Sequence, residues 1–165
     1  MSGRVVETGI EACEDKTSIL YSRLVDTAGS RFFDLNRLSD CRSKWETALK
    51  IRRERLSHDS HFSKYIAPFL FLIYILNVKV AGIQNNLGNL EIASGNLAEA
   101  RDYFERATLI WIAGGDTTAF QLALTCLCVG RMHMLRGNFH EAEKNTARSE
   151  SMFVRIGAPP FAMAQ

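Results

Sequence analysis

Charge of one sign is the first thing this sequence lacks. Lysine and arginine number 20 against 18 aspartate and glutamate, a formal net charge of +2. Such a balance gives no strong global attraction to nucleic acid or to an anionic membrane, so a protein partner is expected. Metal-ligand clusters are missing too. The four cysteines stand at 13, 41, 126 and 128, with no pair at zinc-closing spacing and no histidines to complete a set. Cys126 and Cys128 are separated by one residue, which on a helix turns them to different faces. Reduced, mostly buried thiols in the cytosol are the plain expectation. The opening MSGRVVETGIEACEDK contains no apolar run, so neither a signal nor a transit peptide is expected and the location reads as cytoplasmic.

Catalytic constellations are absent from the text of the chain as well. No phosphate-cradling glycine loop, nucleophile elbow or carboxylate pair is present, which predicts a non-enzyme without cofactor or metal. His133, between Met132 and Met134, has no carboxylate or cysteine at helical spacing and reads as a packed, hydrogen-bonded side chain. His58 and His61 flank Asp59 in SHDSH, where three neighbouring residues seldom converge on one ion, so a solvated loop is expected. Lys50, Arg52, Arg53 and Arg55 form the densest basic run. Diluted by Glu46 and Glu54, it reads as the wet face of an amphipathic helix and not as a nucleic-acid site.

What the sequence does contain is a repeat. With 47% hydrophobic and 23% charged residues it has the make-up of one soluble domain or a short solenoid. NNLGNLEIASGNLAEARDYFERA at 85–107 has a counterpart in CLCVGRMHMLRGNFHEAEKNTARS at 126–149: Gly88 matches Gly130, Gly95 Gly137, Asn96 Asn138, Glu99 Glu141 and Ala100 Ala142, each 42 residues apart. Ile83, Leu87 and Leu90 form one apolar helical stripe, and Gly88 on that side lets a second helix approach closely. Gly95 can take the left-handed conformation that ends the helix, and Asn96 can cap the next one with Glu99 reaching back. Leu97, Ala100, Phe104, Ala107 and Trp111 then share a face, while Arg101, Asp102, Glu105 and Arg106 are solvated.

The Leu-Gly, Gly-Asn, Glu-Ala, Phe and Ala at these steps resemble the tetratricopeptide repeat (TPR), in the 42-residue variety of kinesin light chains and of C-terminal arrays in signalling proteins. A degenerate earlier copy places Gly29, Leu38, Trp45 and Ala48 at one common offset of 59 from Gly88, Leu97, Phe104 and Ala107. In the third copy Thr146 and Ser149 replace Phe104 and Ala107, which predicts looser packing of its last helix. The resemblance implies an all-α, right-handed TPR superhelix of antiparallel helix pairs, about three units at 18–57, 83–115 and 121–156. An N-terminal tail at 1–17 and a C-terminal tail at 157–165 flank them. It also implies a concave groove that holds a protein or peptide ligand. By alignment its lining is Asn85, Asn89 and Ile92 from the second unit, Leu127, Arg131 and Met134 from the third, and Ser30 and Phe33 from the first. Asparagine can bond a peptide main chain on both sides and Arg131 can hold a carboxylate; equally, Asn85 and Asn89 can bond within the stack. The groove lysines of carboxylate-binding TPR domains have no counterpart here. An exposed terminal helix pair at either end of so short a stack leaves self-association open.

The two offsets differ by 17 residues, and the excess lies between Leu56 and Ile83. The same window carries HFSKYIAPFLFLIYILNVKVAG, with 14 uncharged residues between Lys64 and Lys79. An apolar insertion at about 61–80 is therefore expected between units one and two. As a helix the run would be about 21 Å long, short of the ~30 Å hydrocarbon core, so a membrane span is not expected. Three readings stay open: a folded lid over the stack; a segment foreign to the fold, such as an intron of 51 nucleotides read through in frame; or, disfavoured by that length, a membrane-associated anchor.

Overall fold

The computed structural model describes residues 8–60 and 67–158, with side chains described outside 56–76 and 117. Six α-helices carry the stack: α1 (Ile19–Asp34), α2 (Leu38–Ser60), α3 (Ala67–Ala93), α4 (Leu97–Ala113), α5 (Ala119–Leu135) and α6 (Phe139–Arg155). A 3-10 turn at Gly115–Thr118 joins α4 to α5, and a short helical stretch at 8–12 precedes α1. Each helix packs on its chain neighbours, so α1/α2, α3/α4 and α5/α6 form three antiparallel pairs in one row. No strand occurs among the described residues.

The turns inside the three pairs are built alike. Gly95 and Gly137 take φ of +81° and +74°, and in the first unit Asn36 does the same job at φ +55°. Around Gly95 the Asn96 amide donates to the Glu91 carbonyl at 2.8 Å and the Gly95 amide to Ile92 at 3.1 Å, which satisfies two of the carbonyls that end a helix. The same pair of bonds recurs at Asn36/Arg37 and at Gly137/Asn138. The expected side-chain cap does not form: Asn96 stands at the N-cap of α4 with no cap bond, because its amide donates instead to Glu91 Oε2 at 2.8 Å.

The pairs are held by a contact that repeats every unit. A methyl group added at Gly29 would lie 2.5 Å from the Trp45 ring, and one added at Gly88 would lie 2.6 Å from Phe104. At Gly130 the facing atom is Thr146 Oγ1, at 2.8 Å. Ile83, Leu87, Leu90, Ala100, Phe104, Ala107 and Trp111 are all buried, as their spacing predicts. The third pair closes with polar substitutes: Ser149, fully buried, donates to the Ala123 carbonyl at 2.7 Å, and Thr146 to its own helix at Ala142.

Among the described residues the 17-residue excess is carried largely by longer helices. α2 has 23 residues and α3 has 27, against 17 in each of their counterparts α4 and α5, so most of the excess extends one helical hairpin. The expected insertion is, from Ala67 onward, the leading part of α3, with Pro68 in the first turn where no amide bond is lost. Residues 61–66 and the side chains of 67–76, including Phe69 to Ile73, lie outside the described residues, as do the SHDSH side chains. Among the described residues no helix is long and apolar enough to cross a membrane.

Two polar clamps tie this hairpin down. Arg52 is only 2% exposed and does not belong to a wet basic face. Its guanidinium donates to Ser22 Oγ at 3.3 Å, Asp26 Oδ2 at 3.1 Å and the Lys79 carbonyl at 3.0 Å, joining α1, α2 and α3. At the other end Arg42 of α2 forms a bidentate pair with Glu91 of α3, its Nη2 2.9 Å from Oε2. α3 also offers an internal control for its close-packed glycine. Gly82 has nothing within 4 Å of an added methyl, so Gly82→Ala is expected to raise stability by about 1 kcal/mol through helix propensity, read by thermal melt.

Candidate ligand groove

An open groove of about 460 Å³ crosses one face of the stack. It is lined by Phe33 of α1, Asn89 of α3, Leu124, Leu127, Cys128, Arg131 and Met134 of α5, and Thr146 of α6. Five residues assigned to the groove from sequence, Phe33, Asn89, Leu127, Arg131 and Met134, thus come together in space. Leu124 and Cys128 were missed although their helical spacing to Leu127 and Arg131 puts them on that face. Thr146 carried no such signal, because it projects from the second helix of its pair.

Three assigned residues lie elsewhere. Ile92 is buried with Ala100, Phe104 and Met132 in the core and does not reach the groove, since the apolar stripe of α3 wraps further round the helix than the alignment implies. Ser30 is exposed on α1, its hydroxyl bonded to the Asp26 carbonyl at 3.3 Å. Asn85 accepts from Thr125 Oγ1 at 2.9 Å, and Trp111 Nε1 donates to the same hydroxyl at 3.0 Å, so this amide serves the stack. Asn85 borders a second hollow of about 270 Å³, with the Arg52–Asp26 pair, Lys79 and Gln121; Leu124 is common to both hollows.

The groove floor is apolar and its one cation is uncompensated. Arg131 is exposed and makes no ion pair among the described residues. Burial pushes the Cys128 thiol above its ordinary value, opposed by a hydrogen bond with Asn89 and by the Arg131 charge. Burial likewise raises Cys41, to about 11, and Cys126. These thiols are thus poor nucleophiles at neutral pH, and all four cysteines are free. Among the described residues no group of three or more His, Cys, Asp and Glu side chains could hold a metal ion. His133 departs from expectation: it is half-buried, but its Nδ1 has no hydrogen-bond partner among the described residues.

Stacked antiparallel pairs with a glycine under a larger side chain in each unit, a left-handed turn between helices and a groove across the first helices define a helical-repeat fold of the TPR kind. Residues 80–113, the second unit, match the family described as Tetratricopeptide repeat, in the kinesin-light-chain type that the 42-residue step suggests. Among solved structures the chain is similar to BtubC (BKLC) from P. vanneervenii, with a TM-score of 0.73 over 96% of this chain at 18% identity. It spans 57% of the length of that chain. No curated protein matches it in sequence.

Proposed function

We propose that the chain is a non-catalytic adaptor of the cytoplasm that holds a protein or peptide in the groove bounded by Phe33, Asn89, Leu127, Arg131 and Met134. The observation that carries this reading is the convergence of side chains from three successive units on one open, mainly apolar channel, with a guanidinium at its edge that has no ion pair among the described residues. A TPR fold supports a protein-interaction role in general, and four free cysteines suit a reducing compartment. The apolar floor favours a ligand with large side chains, and Arg131 favours one bearing a carboxylate.

The test uses a synthetic peptide array probed with the full chain. Arg131→Ala and Asn89→Ala are expected to weaken the selected peptides about tenfold each while leaving the helical spectrum and melting temperature unchanged. Undiminished binding by both variants would sink the groove. A purely structural role is favoured by one observation, the commitment of Asn85 to Thr125 inside the stack; an array that selects nothing would support it.

A further inference from the structure

The opposite side of α5 carries a second hollow, of about 430 Å³, which the groove reading does not use. α5 turns Leu127, Cys128 and Arg131 to the groove and Cys126, Val129 and His133 to this hollow, whose other walls come from α4 and α6. Its floor is apolar, formed by Phe104, Cys126 and Val129, and Leu109 stands at its edge 70% exposed. Its volume falls in the range of small-molecule sites, roughly 300 to 1,000 Å³.

The polar groups of the hollow are unequally satisfied. Arg101 is paired with Glu105 at 3.3 Å. Arg148 of α6 has no carboxylate within pairing distance among the described residues, although Lys144 one turn away is paired with Glu141 at 3.5 Å. Its field reaches the floor: burial pushes the Cys126 thiol up, and the Arg148 charge is what opposes that rise. His133 of α5 lines the same hollow, so its ring reports on anything bound there.

We propose that this outer hollow binds a small organic anion, an apolar ring or chain that ends in a carboxylate or a phosphate. The apolar body rests on Phe104, Val129 and Leu109, the anionic end pairs with Arg148, and the His133 ring forms part of the wall. The site is independent of the groove, because it uses the other face of α5.

Four probes test it against the full, uniformly 15N-labelled chain: benzoate, phenyl phosphate, inorganic phosphate and benzyl alcohol, with the His133 ring nitrogens followed by NMR. Benzoate or phenyl phosphate is expected to shift them saturably, and whichever is tighter identifies the head group. Inorganic phosphate and benzyl alcohol, each with half of the chemistry, are expected to bind several-fold more weakly. Arg148→Gln is expected to weaken the better ring anion by about fivefold to tenfold, and the groove variant Arg131→Gln to leave it unchanged. The proposal is overturned if no ring anion saturates below about 10 mM, if benzyl alcohol binds as tightly as benzoate, or if Arg148→Gln has no effect in a chain whose circular dichroism is unaltered.

Discussion

Arg42→Ala is expected to lower the stability of the stack by about 3 kcal/mol, because it strands a carboxylate that is 1% exposed without its cation. The figure is at the low end for such a loss, since the Arg42 side chain is itself 35% exposed. In a chain of this size that is a drop of roughly 6 to 12 °C in melting temperature. Burial works against ionisation of Glu91, but the hydrogen bonds from Arg42 and Asn96 and the Arg42 charge outweigh it and hold its pKa below the ordinary 4.5. A carboxylate whose folded pKa is depressed contributes stability that is fully present above the unfolded value and is lost as pH falls through the folded one. The gap between wild type and variant is therefore expected to be widest above about pH 4.5 and to narrow on acidification. A gap that stays constant from pH 7 to pH 3 would show that the pair is not the source of the difference.

The second large effect is expected at Gly88. Alanine there gains about 1 kcal/mol of helix propensity but sets its methyl 2.6 Å from the Phe104 ring, a rigid neighbour that is fully buried. Overpacking of this kind costs about 1 to 3 kcal/mol, so net of the propensity gain Gly88→Ala is expected to destabilise by about 1 kcal/mol, at most about 2, where Gly82→Ala on the same helix stabilises. A threonine over the glycine would not separate the cause, because in the third unit Thr146 Oγ1 still stands 2.8 Å from a methyl added at Gly130. Phe104→Ala alone opens a cavity; combined with Gly88→Ala it relieves the clash. The two changes in a double-mutant cycle are expected to couple by at least about 1 kcal/mol, whereas strict additivity would place the strain elsewhere.

Much of the stack was legible before any coordinates. Gly95 and Gly137 are left-handed because the ends of two helical patterns met there, and Ile83, Leu87, Leu90, Ala100, Phe104, Ala107 and Trp111 are buried because helical spacing put them on facing stripes. In the first unit it is Asn36, 59 residues before Gly95, that takes the left-handed place, which the degenerate copy did not announce. Of the groove, Arg131, Asn89, Leu127, Met134 and Phe33 came out by alignment of units, since a repeat carries position along with pattern.

The polar residues went differently. Arg52 stands in a run of basic side chains and reads as solvated, yet its partners are 26, 27 and 30 residues away and on other helices. Asn96 looks like a cap and serves Glu91. Asn85 looks like a groove residue and serves Thr125, 40 residues on. His133 looks satisfied, yet its Nδ1 has no partner among the described residues.

The sequence by itself determined the helix pairs, their turns and the faces they bury, because those follow from backbone conformation and from the 3.6-residue period, both read within a few residues. Only the tertiary structure decided which charges and amides are taken inside the stack and which stay free to meet a ligand. That choice depends on partners supplied by distant segments: a buried polar group is tolerated only where a donor or acceptor from another helix meets it, and local pattern carries no record of that meeting.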